Sequence, residues 1–119
     1  SSIAHDSHNL IVAGTNDADM VLAGNMVRKN KGGLAFALNG QVVGELPLPV
    51  AGLMSTESAE TVEEKLQALK AALKAHGISE DIDAFMTLAF VSLPVIPKLR
   101  LNTYGIVDVD AQRIVPAVF

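Results

Sequence analysis

The sequence predicts a mixed α+β fold of 119 residues, and three observations carry that prediction. One long stretch has helical periodicity with start and stop signals at its ends. An Asn-Gly pair separates two β-type runs, and several short apolar runs are bounded by Gly, Pro and Asn. In order these give β-α-β-β-α-β-β-β, an α/β layer arrangement in which two main helices pack on a mostly antiparallel or mixed sheet. No repeat, low-complexity run or internal linker interrupts the chain, so residues 1–119 are expected to form one domain.

The first element is the apolar run Leu10, Ile11, Val12 and Ala13, which reads as a buried strand. Thr15, Asn16 and Asp17 are then cap candidates for a short helix, with Asp19 in its first turn and Met20, Ala23 and Val27 at helical spacing. Arg28, Lys29 and Lys31 crowd its end before Gly32 and Gly33, which serve as a helix stop. Residues 34–38 and 41–46 flank Asn39-Gly40. Both turn positions of a type I′ connection need positive φ, which Asn and Gly tolerate, so a hairpin follows, with Phe36 expected opposite Val43. The segment PLPVAGLMS carries two prolines that block ladder bonding, so it is a loop or an edge.

The strongest helix follows. Ser58 is its cap, Glu60, Glu63 and Glu64 lie near its start, and Val62, Leu66, Leu69 and Leu73 form one apolar stripe. Lys70, Lys74 and His76 suit its C-terminal end before Gly77. Residues 85–93 are apolar and rich in β-formers and read as a buried strand, a pattern that a short buried helix shares. Short strands around Asn102 to Gly105 and around Asp108 to Asp110, finishing in Ile114 and Val115, complete the order. Asp108 and Asp110 read as turn residues more readily than as an acid pair.

Composition limits the function. Half of the residues are hydrophobic and only 18% are charged, so an apolar face is expected to meet another domain or chain, with self-association as one outcome. A formal charge of -4, with no basic cluster beside aromatics, argues against nucleic acid. No apolar run approaches the roughly 20 residues of a membrane span. Zero cysteines excludes disulfides, thiolate metal sites and the Cys-dependent zinc deaminase pattern, and agrees with a cytoplasmic location. The chain starts without Met inside a motif, which suggests a piece of something longer.

One dense cluster of reactive side chains is present: His5, Asp6, Ser7, His8 and Asn9, directly before the first apolar run. If extended, His5 and Ser7 share one face while Asp6 and His8 share the other, which opposes the two histidines. A complete metal site from this chain is therefore not expected, and adjacent residues do not readily form a Ser-His-Asp relay. Two readings remain open. The cluster is either a set of acid, base and substrate-contacting groups or a polar lead-in whose side chains satisfy backbone groups.

The runs SSIAHDSHNLIVAGTNDADM, PLPVAGLMS and FMTLAFVSLPVIPKLRLN with YGIVDVD resemble the C-terminal domain of bacterial adenine deaminases, members of the amidohydrolase superfamily. The resemblance covers nearly the whole chain in three ordered blocks. It implies hydrolysis of adenine to hypoxanthine and ammonia in purine salvage, by a manganese or iron two-metal centre in a TIM-type barrel. In such centres the metals activate water and the protein supplies ligands and a proton carrier. That barrel is missing here, with no His-x-His and no plausible ligand set, so this chain alone is expected to be inactive and to bind no metal. The resemblance further implies partners: the amidohydrolase barrel of the same protein, further copies in a homo-oligomer, and adenine as the parent's substrate. Its alternatives are a cap that brings His5, Asp6 and His8 to the lip of the pocket, with Ser7 and Asn9 as substrate contacts, and a structural, assembly or ligand-binding module without catalysis of its own.

Overall fold

The computed structural model describes residues 1–6, 8–79 and 81–117. It is a mixed α+β fold with three helices and two antiparallel sheets. The elements run α1 (Asp17–Lys29), β1 (Gly33–Leu38), β2 (Gln41–Pro47), α2 (Ala59–Ala75), α3 (Ala84–Val91), β3 (Leu99–Asn102), β4 (Gly105–Asp108) and β5 (Arg113–Val115).

The β1-β2 hairpin is the centre of the fold. Asn39 and Gly40 both adopt positive φ, at 52° and 75°, as a type I′ turn requires. A register shift between Phe36 and Ala37 places Phe36 opposite Gly44 and Ala37 opposite Val42, so the expected Phe36–Val43 pair does not form. The extra residue is the bulged Val43, a detail that turn chemistry alone does not reveal. Leu34, Leu46, Leu48 and Leu69 make the core cluster, with Ile3, Phe36, Val62, Leu66 and Phe85 packed around it. Leu69 of α2 is only 1% exposed and lies over Gly44, where an added Cβ would come within 3.0 Å of its Cδ2. On the face shared by Ala35 and Glu45, Asn30 at the end of α1 donates from Nδ2 to Glu45 Oε2 at 2.6 Å. The hairpin is thus covered by α2 on one face and by α1 on the other.

The helix ends follow their caps. Asn16 caps α1 and Ser58 caps α2, each side chain accepting from a backbone N–H of the first turn. Both helices close with paired Schellman bonds: Gly32 N to Val27 O and Lys31 N to Arg28 O in α1, Ile78 N to Leu73 O and Gly77 N to Lys74 O in α2. The left-handed residue ending α1 is Lys31, at φ 60°, one position before the glycines expected to stop it.

Two elements differ from expectation. Residues 10–13 form no strand: Leu10 is 48% exposed, and Val12 and Leu10 lie across α1 at Gly24 instead of joining a sheet. Residues 85–93 are largely helical as α3. Asp83 supplies the cap by accepting from Met86 N at 3.0 Å, and a helix satisfies its backbone internally where no neighbouring strand is available. In PLPVAGLMS, expected as a loop or an edge, Pro47 ends β2 opposite Gly33 and the rest is a loop with an isolated Val50–Met54 bridge.

β3, β4 and β5 form a separate sheet in that order, with Leu101, Ile106 and Val115 side by side across it. No helix among the described residues is long and apolar enough to cross a membrane.

Candidate functional site

The polar cluster sits on a loop with a fixed base. Ser1 N donates to Ile11 O and Ile11 N donates to Ser1 O, both at 2.9 Å, which closes the segment between them. Ser2 then fastens that base to the core. Its N donates to Gly33 O at 3.0 Å, and its hydroxyl accepts from Gly33 N and donates to Gly52 O, each at 2.7 Å. Ala4 is buried, and the chain bends at His5 and Asp6. The extended alternation that would oppose the two histidines therefore does not apply here.

Beyond this base the side chains point outward. His5, Asp6, His8 and Asn9 are exposed, and among the described residues no hydrogen bond or ion pair engages their side chains. Ser7, the fifth member of the cluster, lies outside the described residues. The His5 ring is 5.7 Å from that of Phe90 at a tilt of 32°, so one face of the imidazole packs on α3. His76 is elsewhere, ending α2 with its ring 5.9 Å from Phe36.

Among the described residues, no group of three or more His, Cys, Asp or Glu side chains is placed to hold a metal ion. The residues at hand therefore do not fit a two-metal centre. Asp108 ends β4, and its Oδ1 accepts from Ala111 N of the following turn at 2.9 Å. A groove of about 310 Å³ between α2 and α3 is lined by Lys70, Leu73, Ile78, Ile82, Asp83 and Phe85 among others, and the polar loop takes no part in it.

Three structural roles had no sequence signal pointing to them. Ser2 reads as a polar terminal residue, yet it joins three segments through β1 and the loop at Gly52. Asp19 reads as a first-turn acid, yet it also holds the Asn39-Gly40 turn. Arg100 donates to Leu99 O and Pro97 O at 2.6 and 2.8 Å. Each depends on contacts distant in sequence or on a local loop path that periodicity does not encode.

The fold and loop define a class: a hairpin sheathed by helices that presents a pinned loop of titratable side chains without a metal centre among its described residues. Comparison with known proteins gives the family. Residues 1–113 match the adenine deaminase C-terminal domain, and the chain belongs to that family. It is 50% identical over 116 residues to adenine deaminase 2 of Carboxydothermus hydrogenoformans, covering 98% of this chain and 20% of that protein. Against adenine deaminase of Kosmotoga olearia it is 55% identical over 109 residues, covering 92% of this chain and 19% of the relative. Adenine deaminase of Shigella sonnei is 47% identical over 110 residues, with 92% and 18% covered. The chain thus spans about a fifth of the length of these curated relatives.

Proposed function

We propose that this chain is the C-terminal domain of an adenine deaminase whose complete polypeptide hydrolyses adenine to hypoxanthine and ammonia, in the cytoplasm and in purine salvage. The observation that carries this reading is the family match over residues 1–113 together with relatives of that name about five times as long. In this reading manganese or iron is held by an amidohydrolase barrel in the rest of the enzyme, and the chain alone is inactive. The whole enzyme is a homo-oligomer, in keeping with the 50% hydrophobic composition.

Within the enzyme, the loop carrying His5, Asp6 and His8 stands at the lip of the adenine pocket, with Ser7 and Asn9 as substrate contacts. Two features support this placement. The base of the loop is pinned through Ser2, and the exposed side chains keep their hydrogen-bonding capacity for a ligand instead of spending it internally. His8 and Asp6 are the proton-carrying or ring-contacting pair. A second reading, a purely structural loop, is favoured for His5 by its packing on Phe90.

The test is hypoxanthine formation from adenine by the metal-loaded full-length enzyme, by the 119-residue chain, and by full-length His8→Ala and Asp6→Asn. Expected are turnover by the complete enzyme, none by the chain, and a fall in kcat of roughly 10²- to 10⁴-fold in the variants, the range of a positioned acid or base. Variants within a few-fold of wild type per metal-loaded site would remove the loop from catalysis. Failure of the wild-type enzyme to consume adenine would remove the activity itself.

A further inference from the structure

One face of the β3-β4-β5 sheet is only partly covered among the described residues, with Ile106 and Val115 half-buried and the β3 leucines exposed beside them. Leu99 and Leu101 are 55% and 47% exposed on β3, while Arg100 between them turns the other way and holds the Leu99 and Pro97 carbonyls. The register sets Leu101, Ile106 and Val115 in one row across the three strands, with Leu99, Asp108 and Arg113 in the next. The result is an apolar stripe flanked by an opposite-charge pair of positions, the arrangement of an interface centre with a polar rim. The core cluster, Leu34, Leu46, Leu48 and Leu69, includes no residue of this sheet. A sheet with strands of four, four and three residues is too small to hold its shape on its own edges, and needs an apolar face packed against something.

We infer that this Leu99–Leu101–Ile106–Val115 face is the surface on which the domain docks against the rest of its own full-length polypeptide. The inference rests on the proposed identity as one domain of a longer enzyme and adds the surface used. The occupant follows from chain length: in relatives about five times as long, roughly four-fifths of the polypeptide lies outside the matched segment. A tethered partner acts at an effective concentration in the millimolar range, which a second copy in dilute solution does not reach. An exposed apolar stripe is therefore covered first by the attached chain.

The experiment places a photo-cross-linking residue, p-benzoylphenylalanine, at Leu101 of the full-length enzyme, with the same residue at Glu64 on the exposed face of α2 as a control. Position 101 is exposed, so the change leaves the domain's own core intact. After irradiation, the expected product runs at monomer mass and carries a cross-link from 101 to a peptide outside the matched domain, while 64 stays unlinked. A cross-link at dimer mass, a link confined to residues 1–119, no link at 101, or equal linkage at 64 would each overturn the inference. Adenine turnover is assayed on the unmodified enzyme, so a protein that cross-links as expected yet does not deaminate adenine fails only the activity reading.

Discussion

The carboxylate of Asp19 grips the backbone of Gly40. Gly40 N donates to Oδ1 at 2.7 Å, and Asn39 N donates to Oδ2 at 3.0 Å. Asn16 completes the unit by accepting from Asp19 N and donating from Nδ2 to Asp19 Oδ2, both at 2.9 Å. One side chain thereby satisfies outward-pointing N–H groups of the hairpin turn while the cap of α1 holds it in place. The start of α1 and the tip of the hairpin are fastened at the same point. The hydrogen bond from Asn16, then that from Gly40, holds the Asp19 carboxyl below its usual range.

Asp19→Ala should destabilise the fold and flatten its acid dependence. Because the folded carboxyl titrates below the unfolded one, near 3.9, the unfolded chain binds more protons between the two values. The stabilisation is fully present above the unfolded value and is lost as pH falls through the lowered folded one. Urea midpoints measured from about pH 6 downward should separate wild type from variant at the neutral end and converge in acid. Parallel curves would contradict the role assigned to the carboxylate.

Two glycines with positive φ separate steric closeness from backbone preference. A Cβ at Gly33 would lie 2.0 Å from Leu46 O, whereas one at Gly40 meets nothing within 4 Å. Gly40→Ala should cost about 1–2 kcal/mol, from the left-handed backbone alone. Gly33→Ala adds overpacking against a carbonyl that cannot rotate away, for a total of roughly 3 kcal/mol or more. Equal losses in chemical denaturation would show that the strand pair relaxes without resistance.

Leu69 and Gly44 should be energetically coupled. Leu69→Ala removes a fully buried side chain and is expected to cost about 2–5 kcal/mol. Gly44→Ala drives a methyl group toward Leu69 Cδ2, 3.0 Å away, and destabilises by crowding. In the double variant the new methyl group occupies part of the space that Leu69 vacates, so the loss should be smaller than the sum of the two single losses. A double-mutant cycle that closes at zero would place the two residues in independent environments.

At Asp83 the cap should outweigh the ion pair. Its Oδ1 accepts from Met86 N at 3.0 Å and its Oδ2 lies 3.2 Å from Lys70 Nζ, between side chains 39% and 45% exposed. The Met86 hydrogen bond is the largest cause lowering this carboxyl, ahead of Lys70. Asp83→Asn retains a capping oxygen and loses only an exposed pair, so it should change stability by less than about 1 kcal/mol. Asp83→Ala should lose about 1 kcal/mol or more, with α3 fraying first. A larger loss in Asn than in Ala, by thermal unfolding, would reverse this order.

What the sequence determined by itself is what short-range chemistry encodes. The Asn39-Gly40 turn, the Asn16 and Ser58 caps and the Leu69 stripe of α2 depend on neighbours within a few residues. The HDSHN cluster was also visible in sequence, as was the family resemblance carried by the blocks around it. Tertiary structure decided the rest. Residues 10–13 and 85–93 are apolar without a period of their own: the first run lies across α1 at Gly24 instead of in a sheet, and the second is a helix behind the Asp83 cap, a local signal that an apolar run rich in β-formers obscures. The Val43 bulge, the Ser2 link to Gly33 and Gly52, and the Asp19 hold on Gly40 join positions far apart in the chain. The path of the folded backbone brings those groups within hydrogen-bond reach, and no local pattern of residues records that path.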